Sequence, residues 1–301
     1  MESFKKLISL PPQGSLLDFG AGTGAFLRVF HNDHPEWELT AIEPGGGFAQ
    51  ISDGLPLKQA YNAPFYNLDV RECFDAVVVM SVLEHLTNPL HALHWIRERL
   101  KPDGVLLMQH PNFAAMPGDL LCVDHINKLT PAHTAAVCGY IGLAPVAAQE
   151  SGSMFELVCR QSSIPSGNFA WPAAENRKIA KSCEAVAQAT IRAVKQAVES
   201  ARAKNGKAAI FGSSPVGNMS VYILGCEKDV ACYVDENSNN WGRIQDGIPI
   251  TSPAEMEKFG VSDLVIAISP VYWETVSKKM RAYPVTVHVP EIFTSGECHE
   301  S

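Results

Sequence analysis

Leu16-Leu17-Asp18-Phe19 runs directly into Gly20-Ala21-Gly22-Thr23-Gly24, and a helix-like segment, Ala25-Phe26-Leu27-Arg28-Val29-Phe30, follows at once. This junction constrains the chain more than any other feature. Glycines at alternate positions permit positive φ and carry no Cβ, so a ligand can lie directly against the backbone. A turn between a strand and a helix N-terminus aims its N–H groups at whatever polar group sits above it. The segment therefore predicts an open α/β sheet with a small-molecule site at the carboxyl end of its first strand.

The dinucleotide fingerprint spaces its glycines as G-x-G-x-x-G. This chain instead reads Gly20-x-Gly22-x-Gly24, with an acid, Asp18, two positions earlier. A nicotinamide-dependent dehydrogenase is for that reason the poorer reading. The next apolar run, Leu39-Thr40-Ala41-Ile42-Glu43, ends on a carboxylate 19 residues beyond Gly24. An acid at the tip of the second strand can accept the hydroxyls of a ribose. The bland alternative is a solvated carboxylate in a strand–helix loop.

At this point the chain resembles the class I S-adenosylmethionine-dependent methyltransferases. Their acid-x-Gly-x-Gly-x-Gly motif stands here as Asp18 to Gly24, and their second-strand acid matches Glu43. The run Phe74-Asp75-Ala76-Val77-Val78-Val79-Met80-Ser81-Val82-Leu83-Glu84-His85-Leu86 is similar to their fourth strand and its Glu-His ending. Leu100-Lys101-Pro102-Asp103-Gly104-Val105-Leu106-Leu107 is similar to their fifth-strand turn. The resemblance covers residues 14–160 and implies S-adenosylmethionine as cofactor. It implies that Asp18, Gly20, Ala21, Gly22 and Gly24 hold the methionine end and ribose. Glu43 then takes the ribose hydroxyls, Pro44 covers an adenine face, and Ser81, Glu84 and His85 lie on the cofactor side. Asn62 stands where the family reads the adenine amine, with Asn67 and Asp69 as competing positions.

Composition sets limits around this reading. The chain has 301 residues, 46% of them hydrophobic, enough for two domains with their own cores. No apolar run approaches the roughly 20 residues of a membrane span, and no signal-peptide core follows Met1. Eight cysteines are scattered without a C-x-x-C pair, which indicates neither a zinc site nor a disulfide framework and suits a reducing cytoplasm. A net charge of −8 argues against a general nucleic-acid face.

Strands are expected at 15–19, 38–43, 58–61, 75–80, 104–109, 143–149 and 154–160. Ser151-Gly152-Ser153 joins the last two as a hairpin, so the final strand should run antiparallel to the rest. The expected fold is a Rossmann-like, seven-stranded methyltransferase sheet over residues 1–160. A linker and long helix span 161–205, and a smaller Rossmann-like domain spans 206–301. The helix should cover 176–204, with an apolar stripe of Ile179, Val186, Ile191, Val194 and Val198 that packs within the chain or against the second subunit of a homodimer. The second domain restarts as a strand and turn at Ala208–Asn218, with strands near 231–235, 264–268 and 285–289 and an acid at Asp235.

That second domain resembles the C-terminal domain of sugar C-methyltransferases, which act on nucleotide-linked deoxysugars. The similarity rests on Gly212–Asn218, Val234-Asp235-Glu236-Asn237, Trp241-Gly242-Arg243, Gly247-Ile248-Pro249-Ile250 and Ile268-Ser269-Pro270-Val271-Tyr272-Trp273. The chain departs from that family before its first strand, where Met1 to Gly14 carry no cysteine and no zinc-binding domain. The resemblance implies methyl transfer to a small polar acceptor of the sugar or nucleotide-sugar class. The competing reading is a non-catalytic methyltransferase-like scaffold in a biosynthetic pathway. For the proton-accepting base, His125 in Asp124-His125-Ile126-Asn127-Lys128-Leu129-Thr130-Pro131 is the first candidate and His110 the second. Either histidine could equally brace its loop.

Overall fold

The alternation of short apolar strands with amphipathic helices builds two separate sheets. The computed structural model describes residues 2–51, 54–162, 173–213 and 215–292. Ten of the expected linker residues, 163–172, lie outside the described residues. The chain divides into two units, Met1–Ala115 with Asp124–Ala173, and Met116–Val123 with Ala174–Ser301.

In the first unit the strands are β1 (Gly14–Phe19), β2 (Trp37–Ile42), β3 (Leu57–Tyr61), β4 (Phe74–Met80), β5 (Leu100–Pro111), β6 (Leu143–Ser151) and β7 (Met154–Gln161). They form one sheet in the order β3-β2-β1-β4-β5-β7-β6. All neighbours run parallel except β7, which is antiparallel to both β5 and β6. The hairpin through Gly152 (φ +60°) produces that reversal. Strand order changes direction between β1 and β4, and open α/β sheets take ligands beyond the carboxyl ends of the strands at such a point.

The central strands are apolar on both faces because helices cover both. Leu17, Val77, Val79, Leu106 and Met108 meet α4 (Pro89–Arg97) and α5 (Pro131–Tyr140) through Trp95, Ile96 and Cys138. Leu16, Leu39, Val78 and Leu107 meet α1 (Glu2–Leu7) and α2 (Ala25–Asp33) through Phe4, Leu27 and Phe30. Asn88 and Thr130 cap α4 and α5, accepting from the His91 and His133 N–H groups.

The second unit holds α6 (Ala173–Ala203), β8 (Lys207–Phe211), α7 (Pro215–Leu224), β9 (Val230–Val234), β10 (Ile244–Gln245), β11 (Ile248–Thr251), β12 (Val261–Ile266), α8 (Trp273–Met280) and β13 (Thr286–His288). Its sheet order is β10-β11-β9-β8-β12-β13, parallel apart from β10. The strands β10 and β11 are too short, and β11 too interrupted by Pro249, to stand out as strands in the sequence. The α6 stripe is built largely of small residues: Ala193, Val194, Ala197, Val198 and Ala201 pack with Ile210, Tyr233 and Val265 inside this unit. Ile179 and Ile191, expected on that stripe, are only half-buried.

One buried carboxylate ties the start of the second sheet together. Asp263 accepts from Lys204 Nζ at 2.9 and 3.0 Å and pairs with His288 Nε2 at 2.8 Å. Burial alone would raise its pKa, but bonds from His288, Lys204, Ser200 and Ser262 hold it down at about 2. Its contribution to stability is therefore present above its unfolded pKa of about 3.9 and is lost as pH falls toward 2.

Two outcomes follow. Asp263→Asn flattens the loss of stability between pH 4 and pH 2, measured by urea unfolding across that range. Gly20→Ala destabilises the first unit by about 1–3 kcal/mol: Gly20 has φ +82°, and a Cβ there would lie 2.4 Å from Val82 Cγ2. Equilibrium denaturation reads that loss as a lower urea midpoint.

Candidate active site

The glycine turn is shaped by its neighbours before any ligand arrives. Gly20 N–H and Ala21 N–H both donate to the Ile42 carbonyl, at 2.8 and 3.0 Å, which ties the end of β1 to the end of β2. Gly20, Gly22 and Gly24 all have positive φ. The Glu43 carboxylate then bridges two loops: Oε2 accepts from Gly22 N–H at 2.8 Å, and Oε1 accepts from Gly45 N–H at 2.6 Å. A Cβ at Gly47 would lie 2.5 Å from the Gly22 carbonyl oxygen, so position 47 must be glycine for the loop to sit this close. A carboxylate offers about four acceptor positions. Two are used here, and the others remain for hydroxyls.

Pro44 is exposed beside this bridge. Asn62, also exposed, donates from Nδ2 to the Glu43 carbonyl at 2.8 Å and so braces the end of β2. Asn67 lies in a 3₁₀ turn after β3, and Asp69 is held by the Arg71 guanidinium at 2.8 Å.

Asp18 sits beneath the turn on the central strand. It is 1% exposed, and neither carboxylate oxygen has a hydrogen-bond partner among the described residues. Burial, reinforced by the nearby Glu43 charge, pushes its pKa up to about 8. A buried carboxyl without a partner is costly and marks a place where a cation or donor belongs.

A second set of side chains gathers beyond β4. Ser81 adopts φ +53°, its N–H donating to the Gln109 carbonyl at 2.9 Å. A 3₁₀ turn, Leu83–His85, follows. Asn127 fastens the later chain to this turn. Its Nδ2 donates to the Leu83 and Leu86 carbonyls at 2.9 and 2.6 Å, and its backbone N–H donates to the Glu84 carbonyl at 3.0 Å. His85 and His125 are thereby brought edge to face with ring centroids 4.8 Å apart. His85 Nδ1 lies 2.9 Å from the Asp124 carbonyl oxygen and 3.7 Å from its carboxylate. Because a carbonyl can only accept, Nδ1 carries the proton and Nε2 presents its lone pair. Asp124 thus orients His85, a residue 39 positions earlier in the chain.

His110 lies elsewhere. It is fully buried, with Nδ1 2.8 Å from the Pro111 carbonyl and Nε2 2.8 Å from Thr134 Oγ1. Burial lowers its pKa, against the raising effect of the Pro111 carbonyl. Both ring nitrogens serve the β5–α5 junction.

Two features were missed by sequence reasoning. The Gly45-Gly46-Gly47 run was legible as a tight loop, but its partner, Gly22, was not. Asn127 carried no local signal at all, since its bonds reach residues more than 40 positions away.

A family model described as a methyltransferase domain matches residues 2–139. No curated protein matches the chain. Among solved structures, the chain is similar to one from the complex between the Haloferax volcanii Trm112 methyltransferase activator and a methyltransferase. Identity there is 12% with a TM-score of 0.48, covering 54% of this chain and 88% of that one. It is also similar to NcsB1, an O-methyltransferase from neocarzinostatin biosynthesis solved with S-adenosylmethionine and 2-hydroxy-5-methyl naphthoic acid. Identity is 19% and the TM-score 0.44, covering 49% of each chain, so this chain spans about half the length of NcsB1. A third is the Burkholderia thailandensis 1,6-didemethyltoxoflavin-N1-methyltransferase, at 16% identity and TM-score 0.41, covering 50% of this chain and 72% of that one.

The raised pKa of Asp18 has a definite sign. The unfolded carboxyl ionises near 3.9 and the folded one near 8, so Asp18 lowers stability progressively as pH rises through that window. Asp18→Asn is expected to stabilise the ligand-free chain by about 2–5 kcal/mol at pH 8–9, with the gain vanishing toward pH 4. Urea unfolding of both proteins across pH 4–9 checks it.

Proposed function

We infer that this chain, whose residues 2–139 match a methyltransferase-domain model, transfers the methyl group of S-adenosylmethionine to a small polar acceptor. The observation that carries the reading is Asp18, a buried carboxyl with no partner, set under a glycine turn whose shape Glu43 maintains. The methionine end of the cofactor carries an ammonium group, which is the cation Asp18 lacks. The glycine backbone leaves room for the ribose, and the remaining Glu43 lone pairs suit its hydroxyls. Pro44 and Asn62 flank the adenine side. Bound there, S-adenosylmethionine supplies a methyl group on a positively charged sulfur.

The chain's own task is then alignment and proton removal. We place the proton-accepting role on the His85–His125 pair beyond β4, with His125 as the base and His85 held in one tautomer by the Asp124 carbonyl. His110 is left to structure, because both of its nitrogens are already engaged. A sugar or nucleotide-sugar acceptor is our reading of the second unit, supported by its resemblance to sugar C-methyltransferases. Within that unit Asp235 is occupied by Ser213, Asn240 Nδ2 at 2.9 Å and the Asn237 N–H at 2.8 Å. It therefore shapes its own loop and is not our choice for a ligand contact.

Calorimetry should show saturable S-adenosylmethionine binding, weakened by about 1–3 kcal/mol in Glu43→Ala. Below pH 8 the binding should release a proton from Asp18, seen as a heat that varies with buffer ionisation enthalpy and disappears in Asp18→Asn. Release of S-adenosylhomocysteine with sugar nucleotides as acceptors should fall about 100-fold or more in His125→Asn. Absence of saturable binding overturns the reading.

A further inference from the structure

The turn that ends β4 and the segment after β5 bring two imidazoles and a carboxylate together. Glu84, His85 and His125 each offer one ligand atom, and the three atoms lie within 4.8 Å of one another. We propose that these three side chains bind one divalent transition cation of the zinc class, leaving coordination positions open to an oxygen of the acceptor.

The donor chemistry selects the ion. Two imidazoles and one carboxylate make the three-ligand set of catalytic zinc sites, which keep a fourth position for water or substrate. Imidazole nitrogens favour zinc or cobalt over magnesium and calcium, which prefer all-oxygen surroundings. The surroundings are those of a ligating histidine. His85 gives its Nδ1 proton to the Asp124 carbonyl at 2.9 Å, with the Asp124 carboxylate at 3.7 Å, and so points a fixed lone pair from Nε2. Metal-bound histidines usually donate their second nitrogen to a carbonyl or carboxylate in this way. Asn127 locks the two ligand-bearing segments to each other at 2.6–3.0 Å, so the histidines are held together before an ion arrives.

Tetrahedral zinc needs its ligand atoms roughly 3.3 Å apart. His125 is half-buried, so its ring can turn about its side-chain torsions to close that gap while His85, held by the Asp124 carbonyl, and the buried Glu84 stay in place. When the ion is bound, His125 is a ligand, and activation of the acceptor passes from its lone pair to the cation. What the site is for rests on the methyltransferase reading, whereas whether it binds a cation does not.

The test uses the full chain, treated with a chelator and titrated with Co2+ in the absence of S-adenosylmethionine. One equivalent of Co2+ should produce the visible absorption of a low-coordinate site. One equivalent of Zn2+ should abolish it, and excess Mg2+ should not. Glu84→Gln, His85→Asn and His125→Asn should each weaken binding at least about tenfold. His94→Asn, an exposed histidine on α4, should leave it unchanged. The two histidine variants alter side chains near the surface, and near-ultraviolet circular dichroism checks that they fold. No absorption at one equivalent, or absorption that persists in both histidine variants, overturns the proposal. S-adenosylmethionine binding without the cobalt signal removes the cation site alone. The cobalt signal without S-adenosylmethionine binding removes the methyltransferase reading alone.

Discussion

The Glu43 carboxylate is the tie on which the first unit's site depends. One of its oxygens takes the N–H of Gly22 and the other the N–H of Gly45, so a single side chain sets the separation of the loops after β1 and β2. Only glycine at position 47 lets the second loop come this close to Gly22. With the Ile42 carbonyl holding Gly20 and Ala21 from below, the turn is built before any cofactor enters. Preorganisation of this kind reduces the ordering cost of binding. The same carboxylate retains acceptor capacity beyond these two bonds.

That rigidity explains how the fold tolerates Asp18. A carboxyl with no partner, buried on the central strand, lowers stability at neutral pH, and a flexible loop would relax to bury something else. Here β2 and β4 flank it in register at Ala41 and Val78, and the core on both faces of the sheet holds the backbone in place. The stability sacrificed in the ligand-free chain is available as differential affinity for a cationic ligand. A local violation of packing rules on an otherwise consistent strand is the pattern expected at a functional site.

The second cluster arises differently. Glu84 and His85 come from the end of β4, and Asp124, His125 and Asn127 from the chain after β5. Adjacent side chains tend to diverge, so the Asp124-His125 pair carried little meaning along the chain. In the fold, Asp124 serves a histidine 39 residues away. His110, by contrast, was the second candidate after His125, also as a residue beyond a strand. In the fold His110 is buried and bonded at 2.8 Å through both ring nitrogens, and neither fact is visible in a sequence.

The strands of the first sheet, its antiparallel last member and the glycine turn were determined by the amino-acid sequence alone. Each depends on local rules: alternating or continuous apolar runs, glycine where φ must be positive, and a hairpin too short to allow a crossover. The strands β10 and β11 escaped, because two or four residues around Pro249 gain strand character only from a neighbour such as β9. The long helix was legible, but its buried face was not, since alanines fill a groove that only the partner sheet defines. Tertiary structure alone decided which acid lacks a partner, which loop Glu43 fastens and which histidine Asp124 orients. Those outcomes depend on distances between residues 20 to 40 positions apart, set by strand order and by hydrogen bonds that no local pattern records.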